Sequence, residues 1–138
     1  MAKVVLDSSA ILALLNGEPG AAIVEATLSE ALVSTVNYAE VFSKLIECGV
    51  AAADAQNALK FVEAGTIVFD IGLARETGVL RAETASRGLS LGDRACLALA
   101  REQGIPALTT DRIWKNAVAD IDVQLILETN LSKVKDDS

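Results

Sequence analysis

The chain has 138 residues, enough for one compact domain that buries its core without disulfides. Apolar residues make up 51% and aromatic residues only 4%, which suits helices rich in Ala, Leu and Val packed on a sheet. The 12 basic and 19 acidic residues leave a net charge of −7, which taken alone argues against a nucleic-acid surface, and the absence of histidine removes catalytic and zinc-bound imidazoles together.

In chain order, KVVL (3–6) reads as a first strand, followed by SSAILALLN and, past the turn GEPG, by AAIVEATLSE as helices. Asp7, Ser8 and Ser9 interrupt the apolar run behind Lys3, so the start is not a signal peptide. Runs such as AILALL fall far short of the roughly 20 residues of a membrane helix. ALVSTV (31–36) is a second strand, with helices over 37–48 and 51–63 divided at Gly49. TIVF (66–69) is a third, followed by helices over 73–87 and 93–103 divided at Gly88; Gly104 and Pro106 stop the last of these.

ALTT (107–110) and VQLIL (123–127) complete five strands, and SKVKDDS at 132–138 is a polar tail beyond a domain of residues 1–131. Strands alternating with helices imply an α/β fold, a central mostly parallel five-stranded sheet flanked by helices. Cys48 and Cys96 lie in apolar helical stretches without CxxC spacing, which predicts buried free thiols and suits a reducing cytoplasm.

Ligands in open α/β sheets bind outside the carboxyl ends of the strands. Asp7 follows the first strand there, Asp111 follows the fourth, and Glu40 falls in the first turn of the helix after the second. Asp93 begins a helix antiparallel to the fourth strand, which returns it to the same edge. Each acid alone has an ordinary explanation. Asn37 with Glu40, and Ser90 with Asp93, have the spacing of a cap and its reciprocal acid, while Asp7 and Asp111 suit N-caps.

Together they are harder to explain. A helix N-terminus stabilises a carboxylate by about 0.3–1 kcal/mol, whereas two carboxylates about 6 Å apart repel by roughly 3 kcal/mol at an effective dielectric near 20. Protonation or a divalent cation must relieve that, and oxygen-only ligands favour Mg²⁺ or Mn²⁺. Such a site suits phosphate chemistry with one ion or two. Arg94, Arg112 and Lys115 stand beside Asp93 and Asp111 as candidates for phosphate contact, or else are surface charges. Trp114 stacks on a base or, more commonly, packs. Asp70 caps the next helix, Asp120 and Asp122 lie in a polar turn, and Asp120 or Asn116 is a weaker candidate for a further metal contact.

At VVLDSSAILALLNGEPG, STVNYAEVFSKL, LSLGDRACLALA and ALTTDRIW, which together span nearly the whole chain, it resembles the PIN-domain ribonucleases, and within them the VapC-like toxins of toxin–antitoxin pairs. The resemblance implies that Asp7, Glu40, Asp93 and Asp111 coordinate Mg²⁺ or Mn²⁺ and direct water onto an RNA phosphodiester, leaving a 3′-hydroxyl and a 5′-phosphate. It implies hydroxyls beside the acids at Ser9 and Thr109, a homodimer, and a cognate antitoxin covering the acidic groove. Ser9 also fits an ordinary helix-start hydroxyl.

Two rivals stand beside it. An aspartyl phosphotransfer enzyme also places acids at strand ends, but its Asp-x-Asp form is absent at Asp7-Ser8-Ser9, and Lys44, Lys60 and Lys115 fall in helical stretches. A non-catalytic interaction module has no reason to keep four mutually repelling carboxylates.

Overall fold

The computed structural model describes residues 1–126. The expected strand end at 127, the domain limit at 131 and the tail at 132–138 lie outside the described residues. Five strands, β1 (Val4–Leu6), β2 (Ala31–Ser34), β3 (Thr66–Ile67), β4 (Ala107–Thr109) and β5 (Val123–Leu125), form one sheet in the order β3-β2-β1-β4-β5. Every pairing is parallel, with Val5 opposite Leu32 on one side and Ala107 on the other. Parallel strands need long crossovers, and helices supply them: α1 (Ser8–Leu15) and α2 (Ala21–Thr27) after β1, α3 (Thr35–Glu47), α4 (Ala52–Ala58) and α5 (Lys60–Glu63) after β2, and α6 (Ile71–Thr84) and α7 (Leu91–Gln103) after β3.

Helices on both faces explain why β1 is apolar at every position. Val4 and Leu6 join a core with Ile11, Val24, Val41 and Leu108. Val5, pointing the other way as strand periodicity requires, joins a core with Leu73, Leu80, Leu97, Leu99 and Ala107. Fully burying Leu97 and Leu99 is worth about 1.5–3 kcal/mol each, against about 1 kcal/mol for a typical cap. Packing therefore fixes where α7 lies, and its cap fixes where it begins. Its end is set by Gly104, whose φ of 66° is left-handed.

Several local expectations shift. β2 ends at Ser34 rather than 36, because the Ser34 hydroxyl accepts the Val36 N–H and starts α3 at once. β3 spans only two residues, after which the Phe69 N–H donates to the Thr35 hydroxyl instead of to a strand. Asp70 caps α6, accepting from the Leu73 N–H at 2.9 Å. Cys96 is buried, but Cys48 is exposed, contrary to expectation: it is the C-cap of α3, past that helix's last buried residue, Val41. Among the described residues no helix is long and apolar enough to cross a membrane.

Candidate functional site

Asp7 is the most deeply placed of the acids, 3% exposed. Its N–H continues the sheet by donating to the Leu108 carbonyl, and its carboxylate caps α1. Oδ2 accepts from the Ser9 hydroxyl at 2.6 Å and the Thr109 hydroxyl at 2.9 Å. Those hydroxyls are fixed in turn by backbone, since Ser9 Oγ accepts from the Thr110 N–H and Thr109 Oγ1 from the Asp111 N–H. The end of β4 thus orients the carboxylate at the end of β1. Thr109 also ties Asp111 to Asp7.

Burial pushes the Asp7 carboxyl up from 3.8 to about 6; the two hydroxyl bonds pull it down, and the nearby charges of Asp93 and Glu40 raise it further. The same three acids, after burial itself, push up the thiol of Cys96, which therefore stays protonated beneath the site and is no nucleophile.

Glu40 and Asp93 are placed by two helices. Asp93 completes a capping box at the start of α7: its N–H donates to Ser90 Oγ, and its Oδ2 accepts from the Ser90 N–H at 2.9 Å. Glu40 stands in the second turn of α3, not the first, because the helix begins at Thr35, and Ser34 replaces Asn37 as the cap. Asn37 is instead fully buried, and its side-chain amide donates to Glu40 Oε1 at 2.9 Å and to the Gly92 carbonyl at 3.1 Å. Nothing in the sequence marked Asn37 as a link between helices, since its partner Gly92 is 55 residues away. Asp111 caps a short 3₁₀ turn at 112–114, accepting from the Ile113 N–H.

The capping roles are therefore real for Asp7, Asp93 and Asp111; of the other three acids, Asp93 and Glu40 act on Asp7 through their charge, and Asp111 is tied to it through Thr109. Among the described residues no three acidic or cysteine side chains stand close enough to form a ready-made metal cage. Each acid is turned onto a local donor, as expected for like charges without a counter-ion. No lysine or arginine pairs with any of the four among the described residues. Glu40 Oε2, Asp93 Oδ1 and Asp111 Oδ2 accept no hydrogen bond there, and Asp7 Oδ1 accepts only a long one, 3.5 Å, from Ser8. Unengaged carboxylate oxygens around a buried acid with no protein cation among the described residues fit a hard divalent ion.

The basic candidates separate. Arg112 is exposed, and its side chain makes no hydrogen bond among the described residues. Arg94 donates to the Thr77 carbonyl of α6, and Lys115 Nζ to the Val123 carbonyl. Trp114 is fully buried and packs, so it offers no face to a base. Asp120 accepts from Arg101 at 3.0 Å, as one of three acids paired with that guanidinium. Asn116 adopts φ 60° and gives its carbonyl to Arg87, a bond that, with Arg87 to the Ile113 carbonyl, fastens the turn behind Asp111. Glu40 also borders an open groove of about 710 Å³ along α3, with Thr35, Ala39, Lys44 and Phe69.

The model of the PIN domain family matches residues 4–119. Among solved structures, DNA-bound VapBC from Salmonella typhimurium is 21% identical over 90% of this chain and 98% of that one, with a TM-score of 0.71. VapBC2 from Rickettsia felis, bound to a DNA fragment from its promoter, is 15% identical over 88% and 97%, with a TM-score of 0.70. VapBC-5 of Mycobacterium tuberculosis, a member of the VapBC family of toxin–antitoxin systems, is 22% identical over 92% and 99%, with a TM-score of 0.58. No curated protein matches the chain.

Proposed function

This chain belongs to the PIN domain family, and we propose that it is a Mg²⁺- or Mn²⁺-dependent endoribonuclease, the VapC-like toxin of a toxin–antitoxin pair. The observation that carries this is Asp7: a buried carboxylate held by two hydroxyls, in the field of Glu40 and Asp93, and without a cation paired to it among the described residues.

Asp7, Glu40, Asp93 and Asp111 would hold the ion. When bound, a divalent cation supplies polarisation of a phosphoryl oxygen and a more acidic water. The protein's own part is orientation. Ser9 and Thr109 saturate one oxygen of Asp7 and leave the other to face the site. An oxygen of one of these four acids that the cation would leave unengaged would accept the proton lost by the attacking water. The Arg112 guanidinium, without an intramolecular bond among the described residues, meets a phosphate of the RNA backbone.

The net charge of −7 fits a basic antitoxin segment over the acids as partner, and the likeness to VapBC proteins supports that partner; a homodimer is part of the same reading. Growth arrest by RNA cutting follows from that pairing, and a cytoplasmic location goes with it. The aspartyl phosphotransfer alternative wants a lysine at the acids, and Lys115 is turned to β5 instead.

End chemistry tests the proposal. Total RNA cut by the antitoxin-free protein should yield 5′-phosphates and 3′-hydroxyls. Fragments ending in 2′,3′-cyclic phosphate would mean attack by the RNA's own 2′-hydroxyl and would overturn the hydrolytic reading.

A further inference from the structure

We infer that Asn37 and Gly92 together form the seat that aims the Glu40 carboxylate into the acidic site, acting as positioning residues that set its affinity for the cation. The inference rests on the metal-nuclease reading above and deepens it.

Two independent observations meet at one carboxylate. The first is a hydrogen-bond pair: the Asn37 amide donates both to Glu40 Oε1 and to the Gly92 carbonyl, so the side chain that ties α3 to the first turn of α7 is also the one that holds the acid. The second is space. A Cβ on Gly92 would stand 2.2 Å from Glu40 Oε2 and 2.4 Å from Cδ, so the carboxylate occupies the room a side chain would take. Gly92 needs no left-handed backbone, since its φ is not among the positive ones, and glycine inside a helix is disfavoured relative to alanine. Its missing side chain serves Glu40.

Stability alone does not explain Asn37. Buried on α3 beside Val41, it leaves Oδ1 without a partner among the described residues, a cost that an apolar side chain would not carry. Glu40 is long, exposed, and repelled by Asp7. Without the seat it swings away. The bond to Asn37 engages one oxygen and leaves Oε2 for the cation, as outer partners of metal ligands do.

The test is Mn²⁺ affinity, read from free Mn²⁺ by electron paramagnetic resonance, beside melting in EDTA. Asn37→Leu and Gly92→Ala should each weaken Mn²⁺ binding about tenfold or more, while their melting temperatures in EDTA stay at or above that of the wild type. Gly78→Ala, at a helical glycine whose Cβ would meet nothing within 4 Å, should leave the affinity unchanged. Adding Glu40→Asp to Gly92→Ala should recover part of the loss, because the shorter acid clears the new Cβ.

If the wild type binds Mn²⁺ and both Asn37→Leu and Gly92→Ala bind it within twofold, the seat is refuted and the nuclease reading stands. A wild type that neither binds Mn²⁺ nor cuts RNA overturns both. Should Asn37→Leu fail to fold, Gly92→Ala decides.

Discussion

Replacing Asp7 by Asn should remove activity and yet stabilise the metal-free protein at neutral pH. An unfolded aspartate titrates near 3.8 and folded Asp7 at about 6. Below about pH 4 both states hold the proton and nothing is lost. Between about 4 and 6 the folded state holds it more tightly, so stability falls as pH rises. Above about 6 both are ionised, and the folded state carries the full penalty, about 3 kcal/mol at 1.36 kcal/mol per pH unit. An asparagine oxygen can still accept from Ser9 and Thr109, and the weakening of these bonds to a neutral acceptor is already contained in that penalty. The net gain at pH 7.5 is about 3 kcal/mol, or about 10 °C in melting temperature for a domain of this size. Melts of both proteins in EDTA from pH 4 to 8 should show the curves parting as pH rises. In saturating Mg²⁺ the difference should shrink or reverse, because only the wild type gains from the ion. The reasoning fails if Asp7→Asn is no more stable than the wild type at pH 7.5 in EDTA, or if the difference does not depend on pH.

Thr109→Val removes a donor to Asp7 and the acceptor of the Asp111 N–H at a fully buried position; it should cost about 1–3 kcal/mol by denaturant melts and slow RNA cutting more than tenfold. Arg101 pairs with Glu76, Glu83 and Asp120, and Glu83 is the main reason that its guanidinium is held firmly charged. These partners are partly exposed, so Arg101→Gln should lose only about 1–2 kcal/mol, and the loss should shrink in high salt if it is electrostatic. Arg112→Ala should weaken RNA binding, read by fluorescence anisotropy with a catalytically dead background, and should leave the melting temperature unchanged.

The features that were legible in the sequence are those written in local patterns. Five apolar runs separated by helical ones give the sheet, and the Ser90 to Asp93 spacing gives the capping box that the structure contains. Asp7 was visible because a charge directly behind an all-apolar strand is costly. The β-branched residues of STV extended β2 on paper, but one hydrogen bond from Val36 to Ser34 turned them into the start of α3 and moved Glu40 back by a turn. Cys48 has apolar neighbours in sequence but is the exposed C-cap of α3, beyond that helix's last buried residue. The Asn37–Gly92 contact and the Arg101 network join residues far apart in the chain, and no periodicity or spacing encodes such partners.

The most direct test is RNA cutting as a function of free Mn²⁺ by the wild type and by Asp7→Asn, Glu40→Gln, Asp93→Asn and Asp111→Asn, each shown to be folded. Cutting that rises with Mn²⁺, stops in EDTA and is lost in all four variants is the predicted result. Cutting that persists in EDTA, or at the wild-type rate in Asp7→Asn or Asp93→Asn, would contradict a cation held by these carboxylates.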